Sequence, residues 1–367
     1  MDKNKILVSI IVLNYNGKKM ADNLLKSLNK VDFPKNKIEI VFVDNGSTDG
    51  SQEFIRTNYP NIKLVENKEN LGFDEGMNIG VRNSKGKYVT LLSNDLTADK
   101  NWLKIMVNTI ESDKNIGCVN PLVYDKNEKG KYLFEGYGTT TLIQFNALLK
   151  NVDRNTKDPM KIFSTGGCCL YRKDILDVPF DPDYFIYSED TYLGWLMRLK
   201  GYEAVQSPSA ILYHEYSATI GKMKDREKFT IFYAERNRFM NMLIFYEWAT
   251  LAKLTPLMTI FSIFLNIYDI KRIGTRTKIY IWLLSNFGKI LNKRKKIQKQ
   301  RKVQDSDIIK YMSSDFFNPK TIKNSFFQKI IVLLNKASSY YCRLVGLKTI
   351  ESYGGKFETI KPKKNES

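Results

Sequence analysis

The chain has 367 residues, enough for one large domain with an appendage or for two domains, and its 43% hydrophobic share suits a folded core rather than a disordered polypeptide. Its four cysteines form no CxxC pair, which argues against a disulfide framework and favours a reducing cytosol. The net charge of +19 is uneven, because residues 271–302 hold twelve Lys or Arg and no Asp or Glu. Basic charge beside apolar residues favours an anionic membrane surface as partner, and we expect no nucleic-acid partner.

The first 120 residues alternate between apolar runs, which are typical of parallel strands covered on both faces, and apolar residues at helical spacing. Strands are predicted at 8–13, 38–43, 62–65, 88–92 and 117–120. Helices are predicted at 20–28, 75–83 and 102–110, and another begins after Asp49, where Gln52 makes a variant capping box. This alternation predicts an α/β fold with a mostly parallel, doubly wound sheet.

Periodic patterns become weaker beyond residue 120. Residues 121–160 predict an irregular excursion over the ligand site, followed by a strand at 163–171. A helix is expected from Ser188 to just before Gly201, and a short strand follows at 210–213. We therefore expect the catalytic domain to occupy residues 1–240.

The composition changes near residue 241 and again near residue 303. Residues 254–268 are 15 uncharged residues, fewer than the roughly 20 that a membrane-spanning helix requires. Residues 241–302 therefore predict a helical attachment region that lies on the cytoplasmic face of the cell membrane, with a single span from about residue 247 as the alternative. No secretion signal is expected ahead of the first strand. The polar composition of residues 303–367 predicts a partly helical tail, to which no role is assigned.

Polar residues follow three of the predicted strands. Asn14, Tyr15 and Asn16 end the first strand, and Asp44 with Asn45 ends the second. Because the carboxyl ends of parallel strands form the ligand crevice of an open α/β sheet, these residues are predicted to bind the base and ribose of a nucleotide. The alternative for Asp44 is that its carboxylate only caps the following turn.

The end of the fourth strand predicts a metal site. Asp95 closes the run Leu-Leu-Ser-Asn-Asp, and a carboxylate is a hard ligand that suits Mg²⁺ or Mn²⁺ bound to a diphosphate. Asn94, just before it, is predicted to contact the nucleotide. His214, the only histidine of the chain, is predicted to complete the metal site. The alternative for Asp95 is a helix cap.

Two adjacent carboxylates begin a predicted helix. The positive end of the helix dipole favours an ionised carboxylate, and a general base must be ionised before it can accept a proton. Because neighbouring side chains in the first turn of a helix diverge, only one is expected to face the site. Asp190 is predicted to be the base and Glu189 an orienting or acceptor-binding neighbour; two structural helix starters are the alternative.

Four further residues are predicted to contact the nucleotide. Gly72 and Asn78 lie in a Gly-punctuated segment that allows close approach, with close helix packing as the alternative. Arg82 follows it and is predicted to reach phosphate, or else to be a surface charge. Arg236 is predicted to hold pyrophosphate in a forked contact, or else to form a structural ion pair.

Taken in order, these blocks resemble the family 2 glycosyltransferases of GT-A fold, particularly the rhamnosyltransferase-like branch. The resemblance covers about residues 6–240. The segments that carry it are Val43–Asp49, Asn70–Phe73, Ser93–Asp95, Gly166–Gly167, Phe185–Asp190, His214 and Arg236–Arg238. One departure is that Ser93 stands where many relatives carry Asp or Asn, which makes the metal less secure.

The resemblance implies an inverting, metal-dependent transferase. Its donor would be a UDP- or dTDP-linked sugar, its cofactor Mn²⁺ or Mg²⁺, and its acceptor a hydroxyl of a lipid-linked or growing glycan in cell-surface polysaccharide or glycoconjugate synthesis. The alternatives are a catalytically inactive nucleotide-sugar-binding membrane scaffold and a nucleotidyltransferase. The latter usually has a Gly-rich phosphate loop, whereas residues 8–18 contain only Gly17.

Overall fold

The computed structural model describes residues 6–126, 140–145, 156–164, 166–215, 225–319 and 322–360. Its centre is one nine-stranded sheet whose first half is parallel, with strand order β3-β2-β1-β4. These strands are β1 (Val8–Asn14), β2 (Ile38–Asp44), β3 (Lys63–Glu66) and β4 (Tyr88–Ser93). Asn14 is in register with Asp44, so the polar strand ends meet at one edge as predicted.

Helices cross over between these strands and cover both faces of the sheet. They are α1 (Lys18–Asn29), α2 (Ser51–Asn58), α3 (Gly72–Arg82) and α4 (Trp102–Ser112). Apolar residues at helical spacing explain α1, which buries Leu24, Leu25 and Leu28. Glycines let α3 approach β1 closely, since a Cβ on Gly80 would lie 2.2 Å from a methyl carbon of Ile11.

The second half of the sheet is mixed, which the sequence did not predict. Its strands are β5 (Leu96–Ala98), β6 (Ile116–Asp125), β7 (Met160–Ile162), β8 (Leu170–Arg172) and β9 (Glu203–His214). β8 is antiparallel to both β4 and β6, whereas β6 and β9 are parallel. The single strand predicted at 163–171 is wrong, because two short strands flank a turn there. Much of the predicted excursion at 121–160 lies outside the described residues.

Helices form the rest of the chain. They are α5 (Glu189–Leu199), α6 (Arg226–Phe245), α7 (Trp248–Tyr268), α8 (Ile273–Ser285), α9 (Phe287–Gln298), α10 (Asp305–Ile309) and α11 (Ser325–Leu344). The predicted domain boundary at residue 240 falls inside α6. Helices α6 to α11 share one apolar core with α3, α5 and one face of the sheet, whereas α1, α2 and α4 cover the other face.

Candidate active site

A buried chain of side-chain hydrogen bonds joins the ends of three parallel strands. The Asn14 amide donates to Asp44 Oδ1 at 3.0 Å and its oxygen accepts from Asn94 Nδ2 at 2.7 Å. All three side chains are buried. Gly17 leaves room for this chain, since a Cβ there would lie 2.0 Å from Asn94 Nδ2. The predicted nucleoside side and metal side are thus physically connected.

The Asp44 carboxylate has no solvent exposure, and its contacts are those of the turn-capping alternative. Its Oδ2 accepts from the backbone N–H of Ser47 at 2.9 Å and from Gln52 Nε2 at 2.7 Å. The predicted capping box at Gln52 is therefore wrong: α2 begins after Gly50, in a left-handed conformation, and Gln52 turns back to Asp44. A direct contact between Asp44 and a nucleoside stays a prediction.

The polar groups that reach the surface at this edge come from two loops that are hydrogen-bonded to each other. Asn16, exposed with φ 50°, accepts from the Thr48 N–H at 2.8 Å, and its own N–H donates to Ser47 Oγ at 2.9 Å. Tyr15 beside it is half-buried, and Thr48 and Asp49 are exposed. These loops present hydrogen-bonding groups at the position that the sequence assigned to nucleotide binding.

Asp95 and His214 meet at the corner where β5 pairs with β9. Leu96 is in register with His214, and this pairing brings Asp95 Oδ1 to 3.1 Å from His214 Nε2. Ser93 Oγ donates to the same carboxylate oxygen at 2.5 Å. Both predicted metal-binding side chains are thus together and partly open to solvent.

This donor set fits a divalent cation that a ligand completes. The described residues contain no cluster of three or more His, Cys, Asp or Glu that could hold a metal by itself. Mg²⁺ is usually bound through one or two carboxylates together with substrate phosphates, carboxylate oxygen also suits Mn²⁺, and the neutral imidazole of histidine is a common metal ligand. Asp95 and His214 would therefore hold a cation that arrives with a diphosphate.

The carboxylates Glu189 and Asp190 begin α5 after a strained loop. Phe185, Tyr187 and Ser188 have φ values of 65°, 70° and 68°, which are costly for residues other than glycine. Such backbone persists only where surrounding contacts hold it. The loop therefore fixes the direction in which both carboxylates leave the backbone.

Arg236 and Asn237 on α6 supply those contacts. The Asn237 amide nitrogen donates to the carbonyls of Tyr184, Ile186 and Tyr187 at 2.8–3.1 Å. Arg236 is buried and donates to the carbonyls of Asp183 and Tyr184 and to Asn237 Oδ1. These contacts give Arg236 a structural role through carbonyl and amide oxygens and not through the ion pair of the alternative, and a pyrophosphate contact stays a prediction. The sequence did not single out Asn237, although it stands between the two arginines of the motif.

The basic helix α9 contacts the same loop. Lys293 pairs with Asp181 and Asp183, and Lys289 pairs with Asp183 at 2.7 Å. The pKa of Asp183 is lowered: its burial would raise it, but the bonds from Lys289 and Lys293 outweigh that effect. The C-terminal helices are therefore part of the support of the catalytic loop.

The carboxyls of Glu189 and Asp190 both have a raised pKa. Burial, and then the charge of Asp190, raise the pKa of Glu189 to about 8, and its Oε2 has neither solvent contact nor a hydrogen-bond partner in the described structure. Burial also raises the pKa of Asp190, but the N–H and hydroxyl of Thr191 donate to its Oδ1 and favour its ionised form. The bonds from Thr191 thus favour the charged form of Asp190 over that of Glu189, and the roles of the two carboxyls stay predictions.

Asp74, in the first turn of α3, faces this pair and was missed by the sequence reading. It is 1% exposed, and neither carboxylate oxygen has a hydrogen-bond partner within the described residues. Burial, followed by the charges of Glu189 and Asp181, raises the pKa of Asp74 well above its usual range. The signal available in the sequence was an Asp between Gly72 and Gly76, in a segment for which the sequence predicted only close approach.

The remaining predicted residues make contacts that hold α3 and the loop before it in place. Gly72, with φ 85°, lets the chain pass the Phe185 carbonyl, which would lie 2.5 Å from a Cβ. The Asn78 amide donates to the Phe180 carbonyl, and its oxygen accepts from the Phe180 N–H. The Asn45 side chain donates to Asn70 Oδ1 and to the Gly72 carbonyl, and it accepts from the Leu71 N–H. These contacts support the packing alternative for Gly72 and Asn78.

Arg82 is not brought to the site. Helix α3 runs from the carboxyl edge of the sheet back to its amino edge, so its last residue lies about 15 Å from its first at 1.5 Å per residue. Arg82 is exposed there and pairs with Glu75. The surface-charge alternative therefore describes Arg82.

Comparison with known proteins accounts for this arrangement. The family model described as glycosyl transferase family 2 matches residues 9–178, which include the ends of β1, β2 and β4. Over these residues the chain is similar to glycosyl transferase family 2. Glycosyltransferase AglE of Haloferax volcanii is 30% identical over 198 residues, covering 52% of this chain and 60% of AglE. An uncharacterized glycosyltransferase of Haemophilus influenzae is 28% identical over 253 residues, or 63% of this chain and 75% of that protein.

The fold of the chain is the predicted GT-A fold with a helical C-terminal part. A crystal structure of GalNAc-T7 with UDP, GalNAc and Mn²⁺ superposes with a TM-score of 0.53 at 18% identity, covering 67% of this chain and 49% of that one. At this identity the likeness concerns the fold alone. The chain spans about 60% of the length of AglE, and the resemblance to the rhamnosyltransferase-like branch stays a prediction.

Proposed function

We propose that this chain transfers a sugar from a UDP- or dTDP-linked donor to a hydroxyl of a lipid-linked or growing glycan, with inversion at the anomeric carbon. The observation that carries the proposal is the contact between Asp95 and His214 at the end of β4, in a fold that also holds two carboxylates at the start of α5. Asp95 and His214 meet at one corner of the sheet, and Glu189 with Asp190 begins a helix behind a strained loop.

The acceptor half requires an ionised base. Asp190 takes the proton of the acceptor hydroxyl while the acceptor oxygen forms a bond to the anomeric carbon. The bond from that carbon to the diphosphate oxygen breaks on the opposite face, and its electron pair leaves with the nucleoside diphosphate. Opposite-face attack inverts the configuration, and a positioned base of this kind contributes roughly 10²–10⁴ in rate.

The donor half binds the nucleoside diphosphate. Asn16, Tyr15 and the loop after Asp44 would contact the base and ribose at the edge of the sheet. Asp95 and His214 would hold Mn²⁺ or Mg²⁺, which when bound offsets the charge that develops on the departing diphosphate. The GalNAc-T7 fold neighbour contains both UDP and Mn²⁺, and we propose the same two classes of ligand here.

The C-terminal helices would bring this site to the cytoplasmic face of a membrane. Of the twelve cations at 271–302, six are bonded to acidic side chains or backbone carbonyls of the protein. The other six are exposed, and each contributes about 1 kcal/mol at an anionic surface. They are Lys271, Lys278, Lys295, Lys296, Lys299 and Lys302.

Helix α7 is the one described helix that is long and apolar enough to cross a membrane. Its residues Leu254, Leu257 and Phe261 are buried in the protein core, whereas Ile260 and Ile263 on its other side are exposed. A helix with one face held by its own domain suits an in-plane position at the lipid interface better than a span. We therefore propose a peripheral or monotopic attachment.

A donor panel tests the proposed function. Thermal shift of the purified chain with Mn²⁺ and each of several UDP- and dTDP-sugars identifies the donor, and NMR of the product gives the anomeric configuration. We expect stabilisation by one donor class and an inverted product. A chain that binds the donor but neither transfers nor hydrolyses it would be the inactive scaffold, and a retained configuration would exclude the mechanism.

A further inference from the structure

The C-terminal helix α11 carries an exposed apolar stripe that the proposed site does not use. Phe326, Leu333 and Tyr340 recur every seven residues, and each is 64–67% exposed, as is Leu344. Residues seven apart lie on nearly the same face of an α-helix. Isolated exposed apolar residues are ordinary, but a row of large ones along 20 residues marks an interaction surface.

A second stripe of positive charge runs beside the first. Lys329, Lys336 and Arg343 each follow an apolar stripe residue by three positions, and all three are exposed. None has an acidic partner among the described residues, and the sequence contains no Asp or Glu from 316 to 350. The partner of this helix must therefore accept apolar side chains and neutralise cations at the same time.

The opposite face of α11 is fixed to the protein. Ile331, Asn335, Ser338 and Cys342 are buried, and Asn335 bonds the backbone of Phe316 and Phe317. The helix is therefore held in place by its domain, and only its apolar and cationic stripes are left for a partner.

Helix α11 lies antiparallel to α7. The Phe327 ring contacts Tyr268, with centroids 5.0 Å apart, at one end, and Tyr341 donates to the Lys253 carbonyl at the other. On a helical projection the apolar stripe of α11 falls between the side that contacts α7 and the cationic stripe. Helix α7 itself exposes Ile260, Ile263 and Ile267. The two helices therefore extend one apolar surface.

We infer that α11 is a membrane-binding helix that lies in the plane of an anionic bilayer surface, with Phe326, Leu333 and Tyr340 among the acyl chains and its cations at the phosphates. This inference rests on the proposed membrane attachment and extends it to a segment outside the basic region. Amphipathic helices with basic residues beside the apolar face bind anionic interfaces in this way. The regular placement of cations along its length suits an in-plane position over a span.

Vesicle sedimentation tests the inference. The full chain is mixed with vesicles of equal parts phosphatidylcholine and phosphatidylglycerol, or of phosphatidylcholine alone. We expect Phe326→Ser/Leu333→Ser/Tyr340→Ser to lower binding to the mixed vesicles roughly tenfold or more. Lys329→Gln/Lys336→Gln/Arg343→Gln should lower binding to the mixed vesicles by a similar factor and leave the weak binding to phosphatidylcholine unchanged.

Two further variants separate this inference from the proposals on which it rests. Lys30→Gln/Lys85→Gln/Lys114→Gln removes the same charge from exposed sites of the catalytic domain and should bind like the wild type. Lys295→Gln/Lys296→Gln/Lys299→Gln tests the basic region alone. If this last variant is released while both α11 variants bind normally, the α11 inference is overturned and membrane attachment stands.

Two solution measurements complete the design. The α11 variants should keep wild-type donor turnover with a soluble acceptor, since their side chains are exposed and remote from the catalytic loop. A wild type that does not turn over the donor at all would count against the proposed function. It would not affect the vesicle result. A wild-type dimer without lipid that the apolar triple variant dissociates would show that a second copy occupies the stripe, and would overturn the inference.

Discussion

His214 Nε2 lies 3.1 Å from Asp95 Oδ1, although 119 positions separate the two residues in the sequence. The antiparallel pairing of β5 with β9 produces this contact, so the chain's single histidine is placed by sheet register. The contact supports a shared cation site that a bound diphosphate completes.

We expect Asp95→Ala to abolish the gain in UDP or dTDP affinity that Mn²⁺ provides, and His214→Ala to reduce that gain. The reason is that each variant removes one of two protein donors of the cation. Calorimetric titration of the nucleotide with and without Mn²⁺ measures the effect. Glu215→Gln is the matched control, since Glu215 is adjacent but pairs with exposed Lys126. An unchanged Mn²⁺ effect in Asp95→Ala would remove the metal role.

Asp190→Asn should reduce transfer by about 10²–10⁴ while nucleotide affinity changes little, because the amide keeps the shape and cannot accept the acceptor proton. Initial rates with the identified donor, together with the calorimetric affinity, separate the two effects. Glu189→Gln is the control and should lose less activity. If Glu189→Gln is the inactive variant and Asp190→Asn turns over normally, the two roles are exchanged.

Asn237→Ala should destabilise the catalytic loop. It removes the amide donor from the carbonyls of Ile186 and Tyr187, at about 1–3 kcal/mol for a buried group that loses its partner, whereas the Tyr184 carbonyl keeps its bond from Arg236. We expect a lower kcat at nearly constant donor KM, since the loop positions the base and does not touch the donor. Urea unfolding and steady-state rates measure both effects, and exposed Asn58→Ala is the control. A normal kcat in a destabilised Asn237→Ala would show that the contacts are only structural.

The pH dependence of stability should change in Glu189→Gln. Because the pKa of Glu189 rises from 4.5 to about 8 on folding, the unfolded chain ionises first and the wild type loses stability as the pH rises through this window. Glutamine does not titrate, so the variant should match the wild type at pH 4 and exceed its melting temperature by roughly 3–8 °C above pH 8. Melting curves across this range test it, with exposed Glu53→Gln as control. Parallel curves for wild type and Glu189→Gln would contradict the raised pKa.

The sequence predicted the parallel half of the sheet because each strand there is an apolar run followed by a polar end. The mixed half was harder to predict, because β5, β7 and β8 have three residues each, too few for a periodic pattern. Such strands are defined by their partners in space. For the same reason the strand predicted across 163–171 was wrong.

The site was predicted in its positions more than in its contacts. Asp95 with His214, and Glu189 with Asp190, were identified from their places at strand and helix ends. The protein contacts of Arg82 and Arg236 were not predicted, because charge alone does not tell which edge of a sheet a helix ends at, or whether a guanidinium is buried. Asp74 was missed because an Asp between two glycines does not by itself indicate that its carboxyl is buried near other carboxyls.

The Asn14 amide has a consequence for how variants of this enzyme are interpreted. It is bonded on one side to Asp44, which orders the loop proposed to bind the base, and on the other to Asn94, the neighbour of the proposed cation ligand Asp95. Substituting it would disturb both at once, so defects in donor selectivity and in cation requirement would appear together as a single phenotype. Changing the sugar or base that this transferase accepts is therefore best attempted at the exposed loops, with this amide left intact.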